Sequence, residues 1–147
     1  MNTENKFCYD YPRPLVSVDA IILDEQTESK ILLIKRKNYP YAEMWALPGG
    51  FIEMEETLEE SVKREVYEET SLTVYNFNQF RVYGDPGRDP RDRCITIVFF
   101  CFVNHSLPIK ANDDAKDIKW FNLKELPKLA FDHNKIINDF IALKKNL

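Results

Sequence analysis

Residues 50–72 read GFIEMEETLEESVKREVYEETSL, and they decide the fold because they hold the clearest helix signal in the chain. Residues 57–70 are mostly strong helix formers. Thr57 and Glu60 have the spacing of a capping box, in which each side chain accepts a hydrogen bond from a backbone N–H at the helix start. The sequence therefore predicts a helix over residues 57–70.

Three glutamates, Glu65, Glu68 and Glu69, crowd one side of this helix. At about 100° per residue they project within roughly a third of its circumference, and Glu69 falls inside the apolar stripe that includes Leu58 and Val62. A carboxylate that faces the core is unfavourable unless it is paired or bound to a cation. Neighbouring carboxylates also raise one another's pKa unless a cation lies between them. Such oxygen ligands suit hard divalent ions, magnesium above all.

An acidic helix face can also be an ordinary solvated surface, here with ion pairs to Lys63 and Arg64. The core-facing position of Glu69 and the two glycines just upstream favour a metal site instead. A turn at Gly49 and Gly50 would let the backbone approach a ligand closely, and a carbonyl there could complete a metal's coordination shell.

The rest of the chain predicts an α/β domain spanning residues 1–147, with helices covering a sheet of mixed direction. Apolar runs predict strands at residues 15–23, 31–34, 94–103 and 118–121, with 94–103 central and buried. Residues 72–83 alternate apolar and polar side chains, which predicts one or two strands. A last helix is expected to start at Asp132. Because strands and helices do not alternate strictly, the sheet should contain both parallel and antiparallel strands.

Composition excludes several classes of protein. The 147 residues include 44% hydrophobic and 30% charged side chains, a globular rather than a disordered balance. No apolar stretch is long enough to span a membrane, and the amino terminus lacks the apolar run of a secretory signal, so we expect a cytoplasmic protein. The net charge of -4 argues against electrostatic binding of nucleic acid. Of the three cysteines, Cys94 and Cys101 lie in an apolar run and are expected to pack in the core.

The spacing of the acidic helix resembles the Nudix hydrolase box. That box is a glycine, five residues, Glu, seven residues, Arg-Glu, an apolar residue, any residue, Glu-Glu, any residue, Gly and an apolar residue. Eight of the nine specified positions agree in this chain, namely Gly50, Glu56, Arg64, Glu65, Val66, Glu68, Glu69 and Leu72.

The position that departs from the box is Ser71, which stands where the family has glycine. The glycine ends the helix in a left-handed conformation. Serine in that conformation should cost on the order of 1 kcal/mol. The departure concerns the end of the helix and leaves the acidic positions unchanged.

The resemblance implies a Nudix-type α/β/α sandwich with a mixed β-sheet and the hydrolysis of a nucleoside diphosphate linked to another moiety. Carried over by position, Glu65 and Glu69 would bind Mg²⁺, with Mn²⁺ as a substitute. Glu68 would join them or bind a further ion, and the Gly49 carbonyl would add a ligand. Arg64 would orient the glutamates through ion pairs, with Glu56 as a further partner.

The implied chemistry needs charge neutralisation and a base. Water that attacks a diphosphate meets electrostatic repulsion, which bound metal ions reduce, and the protein must hold water and phosphate in line. A carboxylate must also accept the proton. Glu68 in the helix and Asp113 or Asp114 in a later loop are the candidates, and the sequence does not choose among them.

Candidate substrate residues lie in three places. Arg36 sits where family members often have a phosphate-binding cation, although it could be a surface arginine at a strand end. The segment 84–93, GDPGRDPRDR, resembles the ADP-ribose pyrophosphatase-like branch of the family and offers forked donors for phosphate. Its candidates are Asp85, Arg88, Arg91 and Arg93, against the alternative of a solvated loop with self-paired charges.

The third place is the segment 129–133, LAFDH, which also resembles that branch. Trp45 and Phe131 could stack on a base or belong to the core. His133 could contact the ligand or a partner subunit, or be a polar residue in the first turn of the last helix.

Three functions follow from the resemblance. The favoured one is hydrolysis of ADP-ribose to AMP and ribose 5-phosphate by a homodimer that contacts neither nucleic acid nor membrane. A second keeps the same machinery but acts on a nucleoside triphosphate or another dinucleotide. A third is a non-catalytic sensor of ADP-ribose or a nucleotide, which the complete set of acidic box residues disfavours.

Overall fold

The computed structural model describes residues 7–146, which form one mixed sheet between two helices. In chain order the elements are β1 (Leu15–Asp24), β2 (Lys30–Arg36), β3 (Trp45–Ala46), β4 (Gly49–Phe51), α1 (Leu58–Thr70), β5 (Asn78–Tyr83), β6 (Cys94–Val103), β7 (Ala115–Asn122) and α2 (His133–Lys145). The predicted strands and helices are therefore present, and the predicted fold class is confirmed.

The centre of the sheet is the pair β1 and β6, which run parallel with every residue of β1 matched, from Leu15 opposite Cys94 to Asp24 opposite Val103. The strand order is β3-β2-β1-β6-β5, while β4 also pairs with β1 and β7 with β2. All pairings other than β1–β6 are antiparallel. The prediction of a central buried strand at 94–103 is confirmed.

Alternation along the strands divides the core between the two faces of the sheet. Ala20 and Ile22 of β1 pack on the face that α1 covers, together with Val62 and Val66. The intervening Ile21 and Leu23 face the other way and pack with the apolar side of α2, formed by Ile136, Ile137 and Phe140. This two-sided burial explains why β1 is almost continuously apolar and produces an α/β/α sandwich.

Helix α1 begins as the capping box predicted. The Glu60 N–H donates to Thr57 Oγ1 over 3.1 Å, and the Thr57 N–H donates to Glu60 Oε2 over 2.8 Å. Within residues 7–146, no helix has both the length and the apolar character that a membrane span requires.

The prediction of one or two strands within residues 72–83 is met by β5 alone. Residues 72–77 are not a strand, because Leu72, Val74 and Phe77 pack directly against the α1 side of the core without pairing to the sheet. A second local prediction was wrong. Residues 49–50 are not a turn either, because they belong to β4 and pair with Asp19 and Val18 of β1.

The end of α1 keeps the left-handed geometry of the family glycine, since Ser71 has φ 64° and ψ 11°. The serine hydroxyl adds contacts that glycine lacks. It donates to the Lys110 carbonyl over 3.2 Å and accepts from Asn112 Nδ2 over 2.8 Å. Ser71 thereby ties the helix end to the loop that carries Asp113 and Asp114.

Two substitutions at Ser71 separate backbone strain from these hydrogen bonds. Ser71→Ala should lower the free energy of unfolding by about 1 kcal/mol, since it keeps the strained φ and loses the hydroxyl. Ser71→Gly loses the same hydroxyl but relieves about 1 kcal/mol of strain, so its stability should stay near that of the wild type. Urea unfolding measures both. Equal stability of the alanine and glycine variants would contradict this account.

Candidate functional site

A cavity of about 470 Å³ opens where β4 and α1 meet the edge of the sheet. Its walls come from β1, β4, the acidic side of α1, the segment 88–94 and the start of α2. The predicted residues that line it are Arg36, Gly49, Arg64, Glu65, Glu68, Glu69, Arg88, Arg91, Asp113, Asp114, Phe131 and His133. The fold thus brings together residues that are up to about a hundred positions apart in sequence.

Glu69 is the most deeply buried carboxylate of the α1 group, with only 5% of the residue exposed. Its Oε2 accepts a hydrogen bond of 3.0 Å from the Gly49 N–H. Burial raises the pKa of Glu69 well above its usual range. Because water cannot solvate this carboxylate freely, its ionised form needs a cation nearby.

Glu65 lies one helical turn earlier and packs against β4. A Cβ atom placed on Gly50 would come within 2.5 Å of the Glu65 carboxyl carbon, so only glycine lets this carboxylate approach the strand. Burial raises the pKa of Glu65, although Arg64 opposes the shift. Glu65 and Glu69 therefore form a pair of buried acids beside the glycine strand.

Arg64 connects the acidic residues of this region. Its Nη1 donates to Glu65 Oε1 over 2.7 Å and to Glu68 Oε2 over 3.2 Å, while its Nε donates to Glu56. The hydrogen bond from Arg64 lowers the pKa of Glu56 to about 2. A further bond of 3.1 Å from Nη2 to the Phe51 carbonyl anchors the guanidinium to β4. Arg64 thus has the ion pairs expected of a residue that orients the glutamates.

The three candidate bases all line the cavity. Glu68 is the most exposed of the three clustered glutamates Glu65, Glu68 and Glu69, with 39% of its side chain accessible. Asp113 has a left-handed backbone with φ 54°, and Asp114 accepts a long hydrogen bond of 3.4 Å from Asn38 Nδ2. All three side chains therefore border the same space.

Sequence analysis missed Asp19, a buried carboxylate on the cavity floor. It lies in the middle of β1, and its Oδ2 accepts a hydrogen bond of 2.6 Å from Thr96 Oγ1. Its available signal was an acidic residue inside an otherwise apolar strand, LVSVDAIIL. Such a residue needs a partner or a function, because burying an unpaired charge is unfavourable.

His133 lies in the first turn of α2, beside Asp19. Its Nδ1 accepts a hydrogen bond of 3.0 Å from the Leu47 N–H, and its Nε2 is 3.7 Å from Asp19 Oδ1. Burial lowers the pKa of His133, which favours the neutral imidazole. The structure therefore places this histidine on the cavity floor and not at the surface.

Arg36 is half-buried, and burial lowers the pKa of its guanidinium. Its Nε donates to the Pro40 carbonyl over 2.7 Å, and its guanidinium lies 4.9 Å from the centre of the Phe131 ring. Its two terminal nitrogens have no hydrogen-bond partner among residues 7–146. Arg36 thus presents positive charge to the cavity, where it could bind an anionic ligand.

Arg88 and Arg91 both form ion pairs with aspartates. Arg88, with 4% of its side chain exposed, donates from Nε and Nη2 to both carboxylate oxygens of Asp132, over 3.0 and 2.7 Å. Arg91 forms a similar pair with Asp89 and lies 5.0 Å from the centre of the Phe51 ring. The predicted loop is therefore partly self-paired, as its alternative interpretation expected.

Three predicted substrate residues do not line the cavity. Trp45 packs edge to face against Phe121, with ring centres 4.8 Å apart, as a partly buried part of the core. Asp85 and Arg93 are exposed at the two ends of the loop. Both cysteines expected in the core are buried, Cys94 with 2% and Cys101 with 1% exposed. Cys94 also borders the cavity, where its Sγ is 3.5 Å from Ser17 Oγ.

The donor set suits a hard divalent cation. Glu65 and Glu69 supply buried carboxylates, whose negative charges water solvates poorly. Gly50, which has no side chain, leaves room beside them. Within residues 7–146, no three acidic, cysteine or histidine side chains converge into a complete cage. Arg64 and the Gly49 N–H each bind one oxygen of these carboxylates. Magnesium needs only one or two protein carboxylates because it keeps several waters, so the set fits.

Comparison with known proteins shows which family the chain resembles. The model of the NUDIX domain matches residues 13–140. The ADP-ribose pyrophosphatase of Methanocaldococcus jannaschii is 51% identical over 134 residues, which are 91% of this chain and 77% of that protein. The ADPR responsive transcriptional repressor NtrR of Acinetobacter baylyi is 34% identical over 93% of this chain, which spans only 57% of the repressor's length.

Solved structures show the same fold. The NUDIX domain of Shewanella oneidensis NrtR, crystallised with ADP ribose, superposes with a TM-score of 0.81 at 29% identity, covering 93% of this chain and 91% of that one. A MutT/nudix family protein from Enterococcus faecalis gives a TM-score of 0.83 at 33% identity, covering 95% of this chain and 66% of the other.

The burial of Glu69 predicts a link between pH and cation binding. A glutamate whose pKa is raised by folding destabilises the fold as pH rises above its ordinary value near 4.5, unless a cation offsets its charge. Added Mg²⁺ should therefore raise the melting temperature more at about pH 8 than at about pH 5. Glu69→Gln should remove most of this difference. Thermal melts with Mg²⁺ or with a chelator measure it.

Glu59→Gln is the matched control, because Glu59 is exposed on the same helix. It should respond to Mg²⁺ and pH as the wild type does. A pH-dependent gain that persists in Glu69→Gln would show that the cation binds elsewhere.

Proposed function

The chain belongs to the NUDIX family of pyrophosphohydrolases, and we propose that it hydrolyses ADP-ribose to AMP and ribose 5-phosphate with Mg²⁺ as its cofactor. The observation that carries the proposal is the pair of buried carboxylates, Glu65 and Glu69, facing a cavity whose other side presents the Arg36 guanidinium. The 51% identity to an ADP-ribose pyrophosphatase supports this substrate.

Glu65, Glu69 and the Gly49 carbonyl would hold the cation, with Glu68 as a further ligand. When bound, the cation supplies positive charge that offsets the repulsion between the diphosphate and the incoming water. Arg64 keeps the glutamates in place through its paired donors. Without that guanidinium, neighbouring negative charges would repel one another.

Arg36 is proposed to bind the diphosphate, since its terminal nitrogens face the cavity without protein partners among the described residues. The Phe131 ring lies against this guanidinium, with its centre 4.9 Å from Arg36 Cζ. The Arg91 guanidinium lies 5.9 Å from the centre of the same ring and adds positive potential. Such positioned charge favours a reaction in which negative charge builds up on phosphate oxygens.

The proton of the attacking water must pass to a carboxylate near the reacting phosphorus. Glu68 and the aspartates at 113 and 114 have the required exposure to the cavity. Once the proton has been taken up, the phosphoanhydride bond breaks and one phosphate leaves with each product. The remaining acids hold the geometry that keeps water and phosphate in line.

A substrate panel tests the proposal. ADP-ribose, a nucleoside triphosphate and a dinucleotide are incubated with and without Mg²⁺, and the products are separated by chromatography. We expect AMP and ribose 5-phosphate from ADP-ribose only when Mg²⁺ is present. Faster cleavage of the triphosphate or the dinucleotide would identify that compound, and not ADP-ribose, as the substrate. Binding of ADP-ribose without cleavage would indicate a sensor.

The same assay assigns the base. Replacing the base by its amide, in Glu68→Gln, Asp113→Asn or Asp114→Asn, should lower kcat by about 100-fold with little change in KM. Replacing an aspartate that is not the base should have a small effect. If Glu68 is a cation ligand and not the base, Glu68→Gln should instead raise the Mg²⁺ concentration that activity requires. Three equally weak effects would place the base outside this set.

We also propose a homodimer, as the resemblance to this branch implies. Support comes from the exposed aromatic side chains near the amino terminus, where Phe7 is 71% and Tyr11 79% accessible. Light scattering after gel filtration measures the mass, and twice the 17.4 kDa of one chain is expected. A mass of one chain at all concentrations would refute it.

A further inference from the structure

The cavity floor carries four polar side chains that the proposed chemistry does not use as ligands or base. Ser17, Asp19, Arg88 and His133 are each at least nine-tenths buried, and all line the cavity. They come from β1, the loop before β6 and the start of α2. Burying so many polar groups is unfavourable unless something satisfies them.

Fixed hydrogen bonds set which atoms of Asp19 and His133 remain available. Thr96 Oγ1 occupies Oδ2 of Asp19, leaving Oδ1. The Leu47 N–H donates to His133 Nδ1, so that nitrogen carries no proton and the proton of the neutral ring is on Nε2. The floor therefore presents one acceptor, Asp19 Oδ1, next to one donor, His133 Nε2–H.

These two atoms are 3.7 Å apart, which is too far for a hydrogen bond between them. Neither has another hydrogen-bond partner within residues 7–146. A hydroxyl group can donate to the carboxylate oxygen and accept from the imidazole N–H at the same time. We propose that Asp19 and His133 together bind a sugar hydroxyl of the substrate and so determine which nucleotide derivatives are cleaved.

The neighbouring side chains favour a sugar over a base at this position. Ser17 Oγ and the Arg88 guanidinium border the same floor and can bind further hydroxyls. Phe51 and Arg91, on which a base could stack, are exposed, whereas Ser17 and Arg88 are buried. Phe131 is half-buried, and its ring centre lies 5.3 Å from that of His133. ADP-ribose has hydroxyls on both of its riboses, and either ribose could supply the one that binds here.

This inference rests on the proposed function, and it adds selectivity to it. A bound substrate without the hydroxyl would cover the free oxygen of Asp19 and the N–H of His133 without pairing either of them. Sites that bind a hydroxyl in this way discriminate strongly against analogues that lack it. Discrimination should therefore depend on the Asp19–His133 pair and be independent of the α1 glutamates.

Two substitutions at His133 separate binding from folding. The amide of Gln reaches the position of Nε2, so His133→Gln can still donate to a hydroxyl but loses the acceptor for Leu47. Asn places its oxygen near Nδ1, so His133→Asn keeps the Leu47 contact and loses the donor. We expect His133→Asn and Asp19→Asn to lower kcat/KM for ADP-ribose by about 10- to 100-fold. His133→Gln should retain more activity than His133→Asn despite a lower melting temperature.

Four compounds identify the bound group, each tested on wild type and Asp19→Asn. They are ADP-ribose, the β-ethyl ester of ADP without the terminal ribose, ADP-ribose with 2′,3′-dideoxyadenosine, and the inosine counterpart of ADP-ribose. The loss caused by Asp19→Asn should disappear for the ethyl ester or for the dideoxyadenosine compound, which also tells which ribose is bound. A loss that disappears only for the inosine compound would mean that the pair reads the base, and the proposal would be wrong.

An equal loss for all four compounds would also overturn the proposal, because Asp19 would then act through the neighbouring glutamates. Calorimetric titration of the same compounds in a chelator keeps the test independent of turnover. If the wild type binds ADP-ribose but does not cleave it, the proposed function fails while the hydroxyl site can still be measured.

His105→Asn is the matched control. His105 also faces an aspartate, with 2.9 Å between its Nδ1 and Asp24 Oδ1, but this pair does not line the cavity. Its replacement should leave the selectivity among the four compounds unchanged.

Discussion

The carboxylate of Glu69 is buried against β4, where it accepts a hydrogen bond from the Gly49 N–H, and much of the structure is arranged around this contact. It joins helix α1 to the short strand that pairs with the centre of β1. The contact also places a negative charge where water is scarce, which makes the region receptive to a cation. This hydrogen bond therefore holds α1 against β4 and keeps the Glu69 carboxylate where a cation could bind it.

Several features of the sequence are consequences of that contact. A side chain at position 50 would meet the Glu65 carboxylate, so the helix can approach β4 only if glycine is there. A side chain at position 49 would come within 2.2 Å of the Val18 carbonyl, which excludes larger residues next to β1. Arg64 then balances Glu56, Glu65 and Glu68. Among residues 7–146, no basic side chain forms an ion pair with Glu69.

Those elements whose signals are local could be predicted from the sequence. The capping box fixed the start of α1, and the apolar run at 94–103 indicated a central strand, because both depend on neighbouring residues. Residues 72–77 could not be predicted in this way. Their apolar side chains alternate because they pack against the α1 side of the core, and not because they pair as a strand. Asp19 could not be assigned from the sequence because its partners, Thr96 and His133, are 77 and 114 positions away along the chain.

The cavity combines two kinds of polar group that obey different constraints. Glu65, Glu68 and Glu69 lie close together because of their spacing on the helix. They need a bound cation if all three are to be ionised at once. On the floor, Asp19, His133 and Arg88 each form hydrogen bonds with one protein partner, namely Thr96, Leu47 and Asp132 in that order. Each of the three keeps a further polar group available to a ligand. A substrate that meets both sets must carry phosphate charge and hydroxyl groups a short distance apart. The proposed substrate, a nucleoside diphosphate joined to a sugar, has both.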